Sequence, residues 1–318
     1  MITRKSKKSE QVLQDLHTEV NRRFDWRQSN KTQTMEHIIH GIFLLLGLIT
    51  VGCVLLITVY LVISGIPAIR EIGLVDFLFG KEWASTAGEP KYGILPFILT
   101  SICGTAGAIV IGVPVGFMTA VYLSKLASPK VKSVMQSAVS LLAGIPSVVY
   151  GLVGMLVLVP GIRKIFGVPD GASLLAAIIV LAIMILPSII KMSITALDAV
   201  PKEYEDASLA LGATPIETYF KVSVPAAKSG IAAAVVLGVG RAIGEAMAVM
   251  MVAGNVANMP DSIFQSVRFL TTAVASEMSY SGPGSLQRKA LFSIALVLFL
   301  FIMLINAALN FFLKREKE

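Results

Sequence analysis

Long apolar stretches alternate with short polar stretches from about residue 41 to near the end of the chain. Each apolar stretch is long enough to cross the hydrocarbon core of a bilayer, which is about 30 Å thick and needs about 20 helical residues. The stretches are 41–63, 94–123, 134–158 (interrupted by Gly144-Ile145-Pro146), 174–190, 231–253 and 290–313. The pattern therefore predicts an all-α membrane protein with six transmembrane helices.

The polar segments divide the chain into four parts. Residues 1–36 form a basic N-terminal segment, and 37–92 contain the first transmembrane helix and an external segment. Residues 93–313 form the core, with the other five spans and the polar stretch 201–225, and 314–318 form a charged tail. Apolar residues at helical spacing within the first segment predict either an amphipathic helix on the inner membrane surface or a loosely ordered basic tail.

Composition and charge agree with a membrane protein. The 318 residues are 55% hydrophobic and 15% charged, whereas soluble domains carry about 25% charged residues. Six spans place both termini on one side, and with that side in the cytosol the inner segments hold 18 Lys or Arg and the outer segments eight. The positive-inside rule then predicts a multi-pass protein of the bacterial plasma membrane with both termini cytosolic. The net charge of +7 reflects this topology, so we expect no nucleic-acid partner.

Signals for catalysis and for cofactors are missing from the sequence. No G-x-x-x-x-G-K-[ST] loop is present, so we expect this chain not to bind ATP itself. Cys53 and Cys103 lie in apolar stretches and give no disulfide or metal pattern. His37 and His40 lie one helical turn apart at the start of the first span, where histidines at the membrane interface are a plainer account than a metal pair. We expect no catalytic residue, no metal and no cofactor.

The polar stretch Pro201–Pro225, between the fourth and fifth spans, predicts two short helices meeting at a glycine. Gly212 ends the first helix, since glycine takes a positive φ without penalty. Thr214 begins the second helix as N-cap, with Glu217 in the position of a capping-box partner. Pro225 is predicted to close that helix. The stretch, called the corner below, is expected in the cytosol; an ordinary connecting loop is the alternative.

Two opposite charges lie in the fifth apolar stretch. Inserting an arginine at the centre of a membrane span costs about 2.5–3.5 kcal/mol on insertion scales. The presence of Arg241 in this stretch therefore requires a structural or functional explanation. Glu245 is four residues further on, which in a helix places both on one face. They either neutralise each other and fasten helices together, or Arg241 offers its donor fork to an oxyanion while Glu245 orients it. Thr100 and Ser101 are candidate hydroxyl donors along the path that the oxyanion would take, unless their hydroxyl groups are hydrogen-bonded to their own helix backbone.

The corner resembles a known motif. Asp206-Ala207-Ser208, three residues, Gly212, nine residues and Val222-x-Val224-Pro225 resemble the "EAA…G…I-LP" loop of permease subunits of bacterial ABC importers. The departures are Asp for Glu, Ser for the second Ala and Val at both aliphatic positions. In that family the loop docks into a cleft on the ATPase subunit. The resemblance implies that ATPase coupling involves Glu205, Asp206, Ala207, Gly212 and Pro225.

Further motifs, from about residue 37 onward, resemble the PstC-type permease subunits of bacterial phosphate ABC importers. They are LVDFLFGKEW at 74–83, GILPFILTSICGT at 93–105, LLAGIPSVVYGLVG at 141–154, IIVLAIMILPSIIKM at 178–192 and GVGRAIGEAMAVMMVAGN at 238–255. The resemblance implies the type I ABC importer permease fold. Arg241 and Glu245 match the intramembrane Arg–Glu pair of that family, which is implicated in translocation.

The resemblance also implies the partners. They are a second homologous permease subunit, a dimer of ATPase subunits that binds ATP and Mg²⁺, and an extracellular or periplasmic phosphate-binding protein. Two other functions remain open from the sequence. One is a permease for another oxyanion, sulfate or molybdate. The other is an ion-driven secondary transporter, which often carries internal repeats; none is visible here.

Overall fold

The computed structural model of the chain describes residues 30–315 and is almost entirely helical. The helices are α1 Asn30–Ile72, α2 Leu74–Phe79, α3 Leu95–Val121, α4 Pro129–Gly144, α5 Ser147–Val153, α6 Val159–Phe166, α7 Leu174–Asp198, α8 Lys202–Ala210, α9 Pro215–Thr218, α10 Val224–Ala226, α11 Lys228–Gly244, α12 Met247–Val252, α13 Leu270–Glu277 and α14 Leu286–Arg315. Wider π-helical turns lie at Tyr122–Leu126, Gly154–Leu158 and Tyr219–Ser223.

A two-stranded hairpin interrupts the helices between α2 and α3. Strand β1 is Trp83–Ala84 and β2 is Lys91–Tyr92. The strands are antiparallel, with Trp83 opposite Tyr92. Two strands of two residues have little stability of their own, so the hairpin depends on the side chains that it packs against.

Contacts divide the chain into two units, Met1–Tyr60 and Leu61–Glu318. The described part of the first unit is helical, and its large apolar side chains are exposed, as in a helix that faces lipid. The second unit holds the buried core and all the predicted site residues. Its most buried long helix is α7.

Within the described residues, five helices have the length and composition of membrane spans. They are Met35–Ile72, Leu95–Leu126, Ser147–Phe166, Leu174–Asp198 and Leu286–Ala308. The bent pair Pro215–Ala226 and Lys228–Gly244, with 71° between its halves, passes the same test when the two are taken together, and Lys228–Gly244 is the half that overlaps the predicted fifth span. The predicted all-α membrane fold is confirmed.

The predicted third span, 134–158, is wrong in its position. Helix α4 ends at Gly144, Ile145 is extended, and the span-like helix is Ser147–Phe166. A residue before proline is disfavoured in the α region, so Pro146 breaks the helix at Ile145. The helix also extends beyond the predicted end of the span, so that Arg163 and Lys164 lie in the last turn of α6.

The predicted fifth span, 231–253, is also wrong, because it is not continuous. Helix α11 ends at Gly244, Glu245 is extended, and α12 begins at Met247. Gly244 and Glu245 interrupt the apolar pattern at this point, but the spacing of Arg241 and Glu245 also fits one face of a continuous helix, so the sequence does not show that the helix stops.

Glycines of α3 allow close packing against α7. A Cβ added to Gly107 or Gly112 would lie 2.7 Å from the Cδ1 atom of Ile178 or Ile185, respectively. Such distances are closer than carbon atoms can pack. Small residues at these positions therefore hold the second and fourth spans together, as they do in many membrane helix pairs.

Candidate functional site

Arg241 lies in the last turn of α11 and is half-buried. Its Nη1 donates to the hydroxyl of Ser188 on α7, at 3.4 Å. In residues 30–315, no ion pair joins Arg241 to Glu245. The expectation that the two share a helical face is wrong, because the helix ends between them. Mutual neutralisation therefore does not account for the arginine.

Glu245 shapes the break after α11. Its Oε1 accepts from the backbone N–H of Ala248 at 3.1 Å, as a cap at the start of α12. Its carbonyl oxygen accepts from the hydroxyl of Thr271 on α13, at 2.8 Å. The Glu245 carboxylate gives the backbone of the next helix a hydrogen-bond partner, which competes with continuation of α11 and favours its end here.

The surface beside Arg241 is open. A Cβ added to Gly240 or Gly244 would meet no atom within 4 Å. A guanidinium has five N–H donors in a planar fork, and one long hydrogen bond to Ser188 uses little of this capacity. Arg241 can therefore receive an oxyanion without displacing a carboxylate.

The two predicted hydroxyl donors have different surroundings. Ser101 is buried, and its Oγ accepts from the backbone N–H of Leu270 at the start of α13, at 3.0 Å. The next residue, Thr271, donates a hydrogen bond to the carbonyl oxygen of Glu245. The start of α13 therefore connects the second span to the helix break between α11 and α12. Thr100 is fully buried, and its hydroxyl has no partner among the described residues. Their role as substrate donors remains a prediction.

A cluster of side chains that donate hydrogen bonds to the Glu277 carboxylate joins the hairpin to α13 and α14. The Glu277 side chain is 4% exposed. Its Oε1 accepts from Trp83 Nε1 at 2.9 Å and from Arg268 Nη1 at 2.6 Å. Its Oε2 accepts from Ser85 at 2.8 Å and from Gln287 at 3.1 Å. Four donors satisfy this buried carboxylate, as a buried charge requires.

Arg268 is as fully engaged as its partner. Beyond the ion pair with Glu277, its Nε donates to the carbonyl oxygen of Asn255 at 2.8 Å, and its guanidinium lies 5.9 Å from the centre of the Phe97 ring. The sequence prediction missed this cluster, because its members come from four separate segments with no shared motif.

The corner has the predicted local structure over its first part. Gly212 follows α8 with a φ of 88°, and Thr214 and Glu217 form a capping box before α9. The backbone N–H and the hydroxyl of Thr214 both donate to the Glu217 carboxylate, at 3.1 Å and 3.0 Å. Both helix signals are confirmed.

Pro225 lies directly before Ala226, the last residue of the second helix, as the prediction that it closes this helix requires. Helix α9 continues through the π-helical turn Tyr219–Ser223 into α10, and the chain bends after Ala226. Proline lacks the N–H that a helix interior needs. It is tolerated here near the start of α10, directly after the turn in which the hydrogen-bond pattern changes.

The predicted ATPase-coupling residues fall into two groups. Asp206, Ala207, Gly212 and Pro225 are exposed. Leu211, between them, has 90% of its surface exposed. Glu205 points away from that surface, where Lys125 and Ser223 bond its carboxylate. Across residues 30–315, no three His, Cys, Asp or Glu side chains are grouped for a metal ion.

Solved structures define the class of protein. The chain superimposes on a subunit of the MetNI methionine ABC transporter, in an inward-facing conformation, with a TM-score of 0.52, 23% identity, and coverage of 70% of this chain and 94% of that one. A bacterial alginate ABC transporter, solved with an alginate pentasaccharide-bound periplasmic protein, matches with a TM-score of 0.57 and 15% identity over 87% of this chain and 94% of that one. The fold is that of a type I ABC transporter permease.

Sequence comparisons give the family. Residues 112–317 match the family described as "Binding-protein-dependent transport system inner membrane component". The probable ABC transporter permease protein YqgH of Bacillus subtilis is 42% identical over 82% of this chain and 86% of its own. The phosphate transport system permease protein PstC of Haemophilus influenzae is 34% identical over 86% and 89%. The chain therefore belongs to this family of permeases, and the resemblance to PstC-type permeases is confirmed.

Proposed function

We propose that this chain is a permease subunit of an ATP-driven importer for inorganic phosphate. The proposed assembly contains a second homologous permease, two ATPase subunits that bind ATP and Mg²⁺, and an extracellular or periplasmic phosphate-binding protein. Relatives named PstC at 34% and 32% identity support phosphate as the substrate. In the structure, the observation that carries the proposal is Arg241, a half-buried arginine at a broken span with unused donors and open space beside it.

Arg241 is the proposed binding group for the passing anion. A guanidinium binds phosphate oxygens through two parallel N–H donors. Ser188, already within reach of Arg241, adds a neutral hydroxyl at the same place. One cation with one hydroxyl binds weakly enough to release the ion, which a transport path requires.

The corner is the proposed contact with the ATPase subunits. Its exposed surface carries Asp206, Ala207 and Leu211. The chain runs directly from α7, which holds Ser188, into the corner, and from the corner into α11, which holds Arg241. A displacement of the corner therefore acts on both helices that border the proposed path. ATP binding would open the path to the outside, and hydrolysis would open it to the cytosol.

The proposed orientation places both termini and the corner in the cytosol of a bacterial cell. The excess of Lys and Arg in these segments supports it. This chain would then take no cofactor and perform no hydrolysis, since the ATPase subunits carry the nucleotide chemistry. The experiment that tests the assembly is purification from native membranes, which we expect to bring an ATPase and a second permease with this chain.

Gly212→Val tests the coupling role of the corner. Gly212 has a positive φ and no atom within 4 Å of an added Cβ, so valine meets free space but strains the backbone by about 1–2 kcal/mol. We expect normal insertion, continued ATP hydrolysis and a loss of phosphate uptake. Gly284→Val is the matched control: it has the same positive φ and free space, lies outside the corner, and should transport normally. Normal uptake by Gly212→Val would remove the coupling role.

A further inference from the structure

Glu205 differs from its neighbours on helix α8. Helix α8 has no buried residue, and its other acids, Glu203 and Asp206, are exposed. The side chain of Glu205 is only 17% exposed. An acid that is shielded on an exposed helix is placed for a contact within the chain rather than for a partner in solution.

Two residues from different segments hold this carboxylate. Lys125 Nζ donates to Glu205 Oε1 at 2.5 Å, and the lysine side chain is 11% exposed. The hydroxyl of Ser223 donates to the same oxygen at 2.8 Å, and Ser223 is buried. Charge-assisted bonds of this kind are the stronger ones in proteins, and shielding from water reduces their screening by salt.

The two partners tie different parts of the molecule to α8. Ser223 lies in the π-helical turn after α9, so its bond holds the two halves of the corner together. Lys125 lies outside the corner, in the π-helical turn that ends the second span. That span packs on α7 through Gly107 and Gly112. The contact therefore connects the corner to a third span, besides the two that the chain itself joins to it.

We propose that Lys125, Glu205 and Ser223 form an internal latch that fastens the corner to the end of the second span. Glu205 is then a positioning residue for energy coupling, and the ATPase contact is made by the exposed Asp206, Ala207 and Leu211. The latch rests on the proposed function, because it needs the corner to be the element that the ATPase moves. When these contacts are formed, a displacement of the corner also displaces the second span, together with α7 and α11.

The test compares two identical substitutions on one helix. In the complete complex in proteoliposomes, the quantity measured is phosphate imported per ATP hydrolysed. Glu205→Gln should assemble with the ATPase and hydrolyse ATP, but import at least about tenfold less phosphate per ATP, since a shielded lysine loses its charge partner. Glu203→Gln, on the exposed side, should match the wild type. Equal coupling in the two variants would overturn the latch.

A charge swap separates the latch from a direct ATPase contact. Glu205→Lys and Lys125→Glu should each uncouple the complex, and the double variant should restore coupling to within about threefold of the wild type, as a pairwise interaction requires. Failure of the double variant to recover, with both singles impaired, would overturn the latch and assign Glu205 to another partner.

Amide exchange tests the latch independently of the transported ion. In the purified complex, the amides of α8 should exchange at least about tenfold faster in Glu205→Gln than in Glu203→Gln, because local opening follows the loss of tertiary contacts. Equal exchange rates would overturn the latch. Absence of phosphate transport in the wild-type complex would instead overturn the proposed function, while the exchange comparison would still decide whether the latch exists.

Discussion

Arg241 and Arg268 are both shielded arginines of one helical core, and their surroundings are opposite. Arg268 is 19% exposed, forms an ion pair with Glu277, donates to the Asn255 carbonyl and lies over the Phe97 ring. Within the part of the chain that the structure describes, Arg241 donates one hydrogen bond, of 3.4 Å, to a neutral hydroxyl. Among the described residues, no carboxylate lies within ion-pair distance of it.

This difference separates an arginine that stabilises the fold from the arginine that we propose binds the anion. A shielded charge is costly unless it is paired, and the Glu277 cluster meets that requirement within the chain. Arg241 leaves it unmet, beside glycines that keep the space open. Its charge is therefore available to the anion whose passage we propose, whereas Arg268 stabilises the fold. The predictions below test this contrast.

The largest effect is expected from Glu277→Gln. Removing the charge partner of a buried arginine typically costs about 3–5 kcal/mol, so the melting temperature of the purified protein should fall sharply. Glu82→Gln is the control, because its pair with Lys91 is exposed and such pairs contribute little. A Glu277→Gln protein as stable as the control would show that the cluster does not stabilise the fold.

Arg241→Gln should have the next largest effect, and on transport rather than on stability. Losing a charge-assisted bond to the anion costs about 1.5–3 kcal/mol, which corresponds to roughly 10- to 150-fold in phosphate uptake. The complex should assemble with an unchanged melting temperature. Loss of assembly would show instead that Arg241 fastens helices together, as Arg268 does.

Ser188→Ala should have the smallest effect. A neutral hydroxyl contributes about 0.5–1.5 kcal/mol, so uptake should fall by roughly two- to tenfold at low phosphate. Ser193→Ala on the same helix is the control, since the Ser193 hydroxyl is buried without a partner in the described chain. Equal uptake by the two variants would remove Ser188 from the anion site.

The local structure of the corner was predicted well from the sequence. Features that depend on residues far apart in the chain were predicted poorly. Gly212, Thr214 and Glu217 act within one turn of chain, so their residue types alone were sufficient. The break at Glu245 could not be predicted, because the spacing of Arg241 and Glu245 also fits one face of a continuous helix, and the carboxylate finds its partner only once α12 has formed. The Glu277 cluster contains hydrogen bonds between residues up to 202 positions apart, and no pattern along the chain predicts such a contact.

The sequence did not show which acids of the corner are exposed. Glu205 and Asp206 are adjacent and chemically alike, and both were assigned to the ATPase contact. Only the folded chain brings Lys125 next to one of them. The alternation of exposed and shielded side chains on α8 depends on packing that the residue types alone do not specify.

The most direct test of the account is phosphate accumulation by the purified complex in proteoliposomes, measured with and without ATP on the ATPase side. The account predicts accumulation that requires ATP and the ATPase subunits, and that excess sulfate or molybdate does not compete with. Accumulation driven by an ion gradient without the ATPase subunits, or inhibition by another oxyanion as strong as by phosphate itself, would contradict it.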